Sequence, residues 1–151
     1  MGGFVAGVLD LASAIGAWLP SGVTPLQIMQ SIAGGLYGKR TYEGGWSTAI
    51  VGLALHFLIA TTAAAIYYAA SRKLRFMTER PVLSGVVYAE LVYLFMNFVV
   101  IPLSAIHRWP SFSWQHMVTG PVGHIFFVGL PIALAVSWFA PLPAASSPSR
   151  R

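Results

Sequence analysis

The stretch from Ala49 to Ala70, AIVGLALHFLIATTAAAIYYAA, is an almost unbroken apolar run that contains a single histidine, His56. A helix needs about 20 predominantly apolar residues to cross the hydrocarbon core of a bilayer. This run supplies that length without any formally charged side chain. The segment from Trp46 to Ser71 is therefore predicted to span a membrane, with His56 near its centre.

The composition of the whole chain agrees with a membrane location. Of its 151 residues, 56% are hydrophobic and 9% are charged, and the mean hydropathy is +0.70, whereas soluble domains usually carry about 25% charged residues. An ordinary water-soluble domain is therefore excluded. The absence of cysteine from the sequence excludes disulfides and cysteine-ligated metals. The nine Lys and Arg residues lie between apolar runs and form no stripe or patch, so no nucleic-acid partner is predicted.

Four apolar segments separated by Pro, Gly and charged residues predict an all-α integral membrane four-helix bundle. We expect a single transmembrane domain over residues 1–141, with spans at about 2–19, 46–71, 81–102 and 120–140, and a flexible cytoplasmic tail at 142–151. Thr24 followed by Pro25 is typical of an N-cap with proline at the first helical position. It predicts an additional short helix at about 25–37, interfacial or re-entrant because it is too short to span.

The positive residues predict the orientation of the spans. Six lie on one side, between the second and third spans or after the fourth: Arg72, Lys73, Arg75, Arg80, Arg150 and Arg151. Three lie on the other side: Lys39, Arg40 and Arg108. Because cytoplasmic loops carry the excess of Lys and Arg, both termini are predicted to be cytoplasmic.

Polar residues within the predicted spans are the functional candidates, because an ionisable group in a membrane is costly. They are Asp10, His56, Glu90, Asn97 and His124. A structural explanation is available for each of them. Asp10 and His56 could satisfy one another by a hydrogen bond between helices, and Glu90 with Asn97, seven residues apart on one helix face, could do the same with a neighbour.

Three ligand or transport hypotheses use the same residues. His56 and His124, on different spans, could ligate a haem b through their imidazole nitrogens. A metal held by these histidines and a carboxylate is a further hypothesis, but no spacing defines its geometry, and no metal is predicted. Asp10, His56 and Glu90 could form a proton or small-solute pathway, with His124 near its opening.

No enzyme motif is present in the sequence, since it lacks an HExxH sequence and a Walker-type loop. The leading hypothesis is therefore a non-enzymatic membrane protein, an accessory or structural subunit of a larger complex, with other membrane subunits or a second copy as partners. The segment with His107, Trp109, Trp114 and His116 is expected to anchor the chain at the interface or to contact a partner.

Four segments carry a resemblance to a known group of proteins: LQIMQSIAGGLYGKRTYEGG, GLALHFLIATTAAAIYY, MNFVVIPLSA and GHIFFVGLPIALA. They resemble a set of small uncharacterised bacterial inner-membrane proteins, with a fainter similarity to the YagU-type family, and the resemblance covers most of the chain from Val5 to Val136. It implies a four-span protein of the bacterial cytoplasmic membrane in which His56 and His124 recur, and no established activity. Glu90 departs from the small residue expected there.

Overall fold

The predicted all-α fold is confirmed by the computed structural model, which describes residues 2–109 and 114–139, the latter without the side chains of residues 114–117. Within these ranges there are helices and no strand. Four helices are long and apolar enough to cross a membrane, Gly2–Ser21, Gly45–Ser71, Pro81–Leu103 and Val118–Phe139, as in a multi-pass membrane protein. The predictions for the tail 142–151, for Arg150 and Arg151, and for the side chains of Trp114 and His116 lie outside the described residues.

The helices follow one another as α1 (Gly2–Trp18), α2 (Pro25–Tyr37), α3 (Gly45–Ser71), α4 (Phe76–Glu79), α5 (Pro81–Phe95), α6 (Ile101–Leu103), α7 (Trp114–His124) and α8 (Leu130–Phe139). Short 3₁₀ segments, Leu19–Ser21 and Gly38–Glu43, follow α1 and α2. At the start of α2 the Thr24 hydroxyl accepts a hydrogen bond from the Gln27 amide, and the Gln27 side chain accepts one from the Thr24 amide. This capping box confirms the predicted start of the short helix.

The third and fourth spans each contain a π-helical turn that ends two residues before a proline. Met96–Val100 joins α5 to α6 ahead of Pro102, and Ile125–Gly129 joins α7 to α8 ahead of Pro131. A proline has no amide hydrogen, so the ladder of α-helical hydrogen bonds is broken there in any case. A widened turn therefore precedes Pro131 within the fourth span, and the third span ends at Leu103, one residue past Pro102.

Helix α1 lies between α3 on one side and the fourth span on the other, and α5 packs mainly against α8. Small residues set the closest approaches. Gly3 and Gly7 allow α1 to contact α3 at Thr61 and Ala60, and Gly85 faces Gly129 where α5 meets the fourth span. In a membrane, where apolar side chains gain little by leaving lipid, such close backbone approach is a principal source of helix association.

Helix α2 packs along the first half of α3, where Gly52 lies against the Met29 carbonyl. The polar residue Gln30 is buried in this contact, and its side-chain amide donates to the Gly45 carbonyl at 3.0 Å. The amide is buried because it has a backbone acceptor at the start of α3.

The loop between the second and third spans marks one end of the bundle, here named the Arg72 end, and the start of α3 marks the other, the Trp46 end. At the Arg72 end, Tyr67 is fully buried, and its hydroxyl donates to the Met77 carbonyl and lies 2.7 Å from the Ser84 hydroxyl. Tyr88 packs edge-on against Tyr67 and donates to the Ala63 carbonyl. These contacts join α3 to α5 close to the loop that connects them.

Candidate functional site

A cavity of about 650 Å³ lies between α1, α2, α3 and the third and fourth spans. Along α1 it reaches from Trp18 at the Trp46 end to Ala6, a distance of ~18 Å at the rise of an α-helix. Ala6, Ala63 and Val128 close its deep end and also belong to the hydrophobic core around Tyr67. The cavity therefore begins where the tightly packed Arg72 end of the bundle stops.

The walls of the cavity are mainly apolar, and its polar groups lie at two levels. The apolar wall residues include Leu11, Ile28, Ile32, Ile59, Val92 and Met96. At the Trp46 end, the mouth is formed by Trp18, Val23, Gln27, Tyr42 and Arg108. Deeper, about halfway along the spans, lie three of the five predicted candidates: Asp10, His56 and His124.

Asp10 lines the cavity with a carboxyl group that has no hydrogen-bond or ion-pair partner among the described residues. The side-chain hydrogen bond at this residue goes to its backbone carbonyl, which accepts from the Ser13 hydroxyl. On the same helix face, Gly3 and Gly7 contact α3 directly, whereas Asp10 and Ala14 face open space. The stripe of small residues on α1 is therefore a helix contact over its first half and a cavity wall over its second.

His56 does not bond to the carboxyl group of Asp10, as the structural explanation predicted, but to the backbone of α1. Its Nε2 lies 2.8 Å from the Gly7 carbonyl oxygen. A carbonyl only accepts, so Nε2 carries the hydrogen and, in the neutral ring, Nδ1 keeps its lone pair. His56 thus fixes α3 against α1 and, as a lining residue of the cavity, keeps Nδ1 as an acceptor in its neutral form.

His124 uses the opposite ring nitrogen. Its Nδ1 lies 3.1 Å from the Gly120 carbonyl, one turn back on the same helix, so Nδ1 carries the hydrogen and Nε2 is the acceptor in the neutral ring. Tyr93 packs edge-on against the imidazole, with ring centroids 5.2 Å apart, in space left by Gly120. The ring is held on both sides, which presents Nε2 in a fixed orientation.

Glu90 and Asn97 do not line the cavity and do not bond to one another. The Asn97 amide donates to the Tyr93 carbonyl of its own helix at 2.9 Å. Oε1 of Glu90 is a buried oxygen that has no hydrogen-bond partner among the described residues. The structure therefore separates the predicted relay residues: Asp10 and His56 share a cavity, and Glu90 lies outside it.

The metal and haem hypotheses have limited support in this geometry. Within residues 2–109 and 114–139, no three His, Asp or Glu side chains lie close enough together to hold a metal ion. A haem b ligated by both histidines would need His56 to use Nδ1, because Nε2 is bonded to Gly7. His124 has the arrangement common in ligand histidines, with one nitrogen fixed by a carbonyl and the other available.

The mouth residues were missed in the sequence. Arg108 was used there only as a positive residue that predicts orientation, and Gln27 was not singled out. The one available signal was the polar side of α2, where Gln27 and Ser31 recur at helical spacing and line the same cavity.

In comparisons with known proteins, no family model, no curated protein and no solved structure matches the chain. The resemblance to small bacterial inner-membrane proteins and to the YagU-type family stays a prediction from the sequence.

Proposed function

We propose that this membrane protein binds a small molecule with an apolar body and a polar group in the cavity beside Asp10. The observation that carries the proposal is the Asp10 carboxyl group, which faces the cavity without a described protein partner. An acid at that depth in a membrane is costly unless something satisfies it. The structural explanation, a bond to His56, is not the arrangement that the side chains adopt.

The size and lining of the cavity support the same proposal. Ligand sites in proteins usually enclose about 300–1,000 Å³, with apolar walls and a few fixed polar groups, and this cavity has about 650 Å³. Its mouth lies at the Trp46 end, so the ligand enters there from water or from the bilayer interface. The protein is then a binding or transport protein for an amphipathic solute, in line with the small-solute hypothesis from the sequence.

The proposal is tested by filling the cavity with a larger side chain. Protein in lipid nanodiscs is titrated by calorimetry with 2-phenylethanol, 2-phenylethylamine and 3-phenylpropionate, against empty nanodiscs to subtract partitioning. We expect saturable binding of at least one probe to the wild type and loss of that binding in Ala14→Phe, which fills the cavity. Ala12→Phe places the same side chain on the exposed side of α1 and is the control. Binding that survives Ala14→Phe, or no saturable binding of any probe, would overturn the proposal.

A second proposal, that the chain is an accessory subunit of a larger complex, is supported by Glu90. One of its carboxyl oxygens, Oε1, is buried without a partner among the described residues, and the residue as a whole is partly exposed. A neighbouring subunit that packs over the exposed part of Glu90 and donates a hydrogen bond to its carboxyl group would remove a cost of about 1–3 kcal/mol. We expect Glu90→Leu to shift the protein from a large species to its own mass on native gels of host membranes. A single small species for the wild type would contradict this.

We further propose a bacterial cytoplasmic membrane, with both termini cytoplasmic, on the basis of the loop charges and the sequence resemblance. Because the chain has no cysteine, a single introduced cysteine can report on which side of the membrane its position lies. An impermeant maleimide added to intact cells is expected to label Lys39→Cys and not Lys73→Cys; both positions are exposed. The reverse labelling would show that the predicted orientation is wrong. Permeabilised cells, in which both positions should be labelled, are the control.

A further inference from the structure

We infer that the ligand of this cavity carries a protonated amine that pairs with Asp10. The inference rests on the proposed binding function and names the chemical class of the ligand. Its basis is the balance of donors and acceptors around the deep polar level of the cavity.

The ring hydrogens of both cavity histidines are already used. His56 donates from Nε2 to Gly7, and His124 donates from Nδ1 to Gly120. In its neutral form, each ring therefore keeps one acceptor nitrogen and has no N–H left to donate. Ser31, which also lines the cavity, donates its hydroxyl hydrogen to the Ile28 carbonyl at 2.7 Å. None of these three lining side chains has a donor hydrogen to spare, and an ionised Asp10 adds two acceptor oxygens.

An alkylammonium group is the complement of such a set, because it has three donors and no acceptor. It also brings the positive charge that a carboxylate in an apolar wall needs, since buried charges in proteins are nearly always paired. A carboxylic acid placed at the same level would put two like charges together. An alcohol would provide a single donor and no charge.

Apart from the two histidines, the lining residues that can carry a full charge are Asp10 and Arg108. Arg108 lies at the mouth and is exposed. Water and salt therefore screen its repulsion of an incoming cation, whereas the attraction between Asp10 and an ammonium acts in an apolar, weakly screened surrounding. A cation is therefore favoured beside Asp10, deep in the cavity, and not beside Arg108 at the mouth. The apolar body of the ligand then lies against the isoleucine and valine walls.

The experiment compares three probes of matched shape, 2-phenylethylamine, 2-phenylethanol and 3-phenylpropionate, in the nanodisc titration. We expect the amine to bind about tenfold or more tightly than the alcohol, as a charge-assisted hydrogen bond implies, and the acid to bind most weakly. In Asp10→Asn, which keeps the size of the side chain, the ratio of amine to alcohol affinity is expected to fall to about one. Ser13→Ala, outside the cavity, should keep the wild-type ratio.

The outcomes separate the ligand class from the binding function. Equal affinity for amine and alcohol in the wild type, both lost in Ala14→Phe, would overturn the amine inference and leave the binding function standing. Tighter binding of 3-phenylpropionate, weakened by Arg108→Gln, would identify an anion site at the mouth and also overturn it. If Asp10→Asn bound no probe, Asp10→Glu decides: a restored preference for the amine supports the inference, and binding without that preference contradicts it.

Discussion

Replacing Gly52 by alanine is expected to separate α2 from α3 and to lower the stability of the protein by about 3 kcal/mol or more. A Cβ atom at this position would overlap the carbonyl oxygen of Met29 and crowd the amide nitrogen of Ala33. Overpacking usually costs about 1–3 kcal/mol when flexible side chains can move aside. Here the opposing atoms belong to the backbone of α2, so the whole helix has to shift.

The measurement is the midpoint of thermal unfolding in one detergent, with Gly16→Ala as the matched control. At Gly16, on α1, a Cβ atom would meet no described atom within 4 Å outside the adjacent backbone of its own helix. Alanine there is expected to be neutral or stabilising by up to about 1 kcal/mol, because alanine is the better helix former. An equal loss of stability in both variants would show that Gly52 is not a special contact. Since α2 carries Gln27 and Ile28 of the cavity lining, Gly52→Ala should also abolish probe binding.

The helices themselves were predictable because their signals are local. The apolar run around His56, the proline and glycine boundaries and the Thr24 cap each act within a few residues, and each is present in the structure. Gly3 and Gly7 recur at helical spacing in the sequence, and they make the close contact of α1 with α3. Length, hydropathy and capping therefore determine the elements of this fold.

The partners of the polar residues were not predictable, because they depend on how the helices rotate and tilt against one another. Asp10 and His56 lie at similar depth, which favoured a pair, but His56 reaches the Gly7 carbonyl one turn away. A backbone acceptor is present on every turn of every helix and leaves no mark in the sequence. The cavity has the same origin, since its walls come from five segments that are distant along the chain.

The contacts between α3 and α5 were also missed, since tyrosine and serine residues near the ends of spans have an ordinary explanation as interfacial groups. Tyr67 and Tyr68 are adjacent and chemically identical, and only their positions on the helix distinguish them. Tyr67 is fully buried, whereas Tyr68 is 51% exposed. A helical periodicity could not decide between them, because α3 is apolar on all sides.

Replacing Tyr67 by alanine is therefore expected to cost about 3–5 kcal/mol, as for other large buried side chains, and Tyr68→Ala less than about 1 kcal/mol. The tyrosine ring fills the core at the Arg72 end, and its hydroxyl lies within hydrogen-bonding distance of the Met77 carbonyl and the Ser84 hydroxyl. Tyr67→Phe should cost only about 1 kcal/mol, because the single hydroxyl hydrogen of Ser84 still has a carbonyl acceptor within reach, that of Met77 or that of Arg80.

Thermal unfolding of the three variants in one detergent measures this order of stability. If Tyr67→Phe were as damaging as Tyr67→Ala, the hydroxyl and not the ring would hold the Arg72 end together, and the packing argument would be wrong. If Tyr68→Ala were equally damaging, the burial of Tyr67 would not be the cause. Ala63 and Val128 belong both to the lining at the deep end of the cavity and to the core cluster around Tyr67. Tyr67→Ala should therefore weaken probe binding as well, whereas Tyr68→Ala should not.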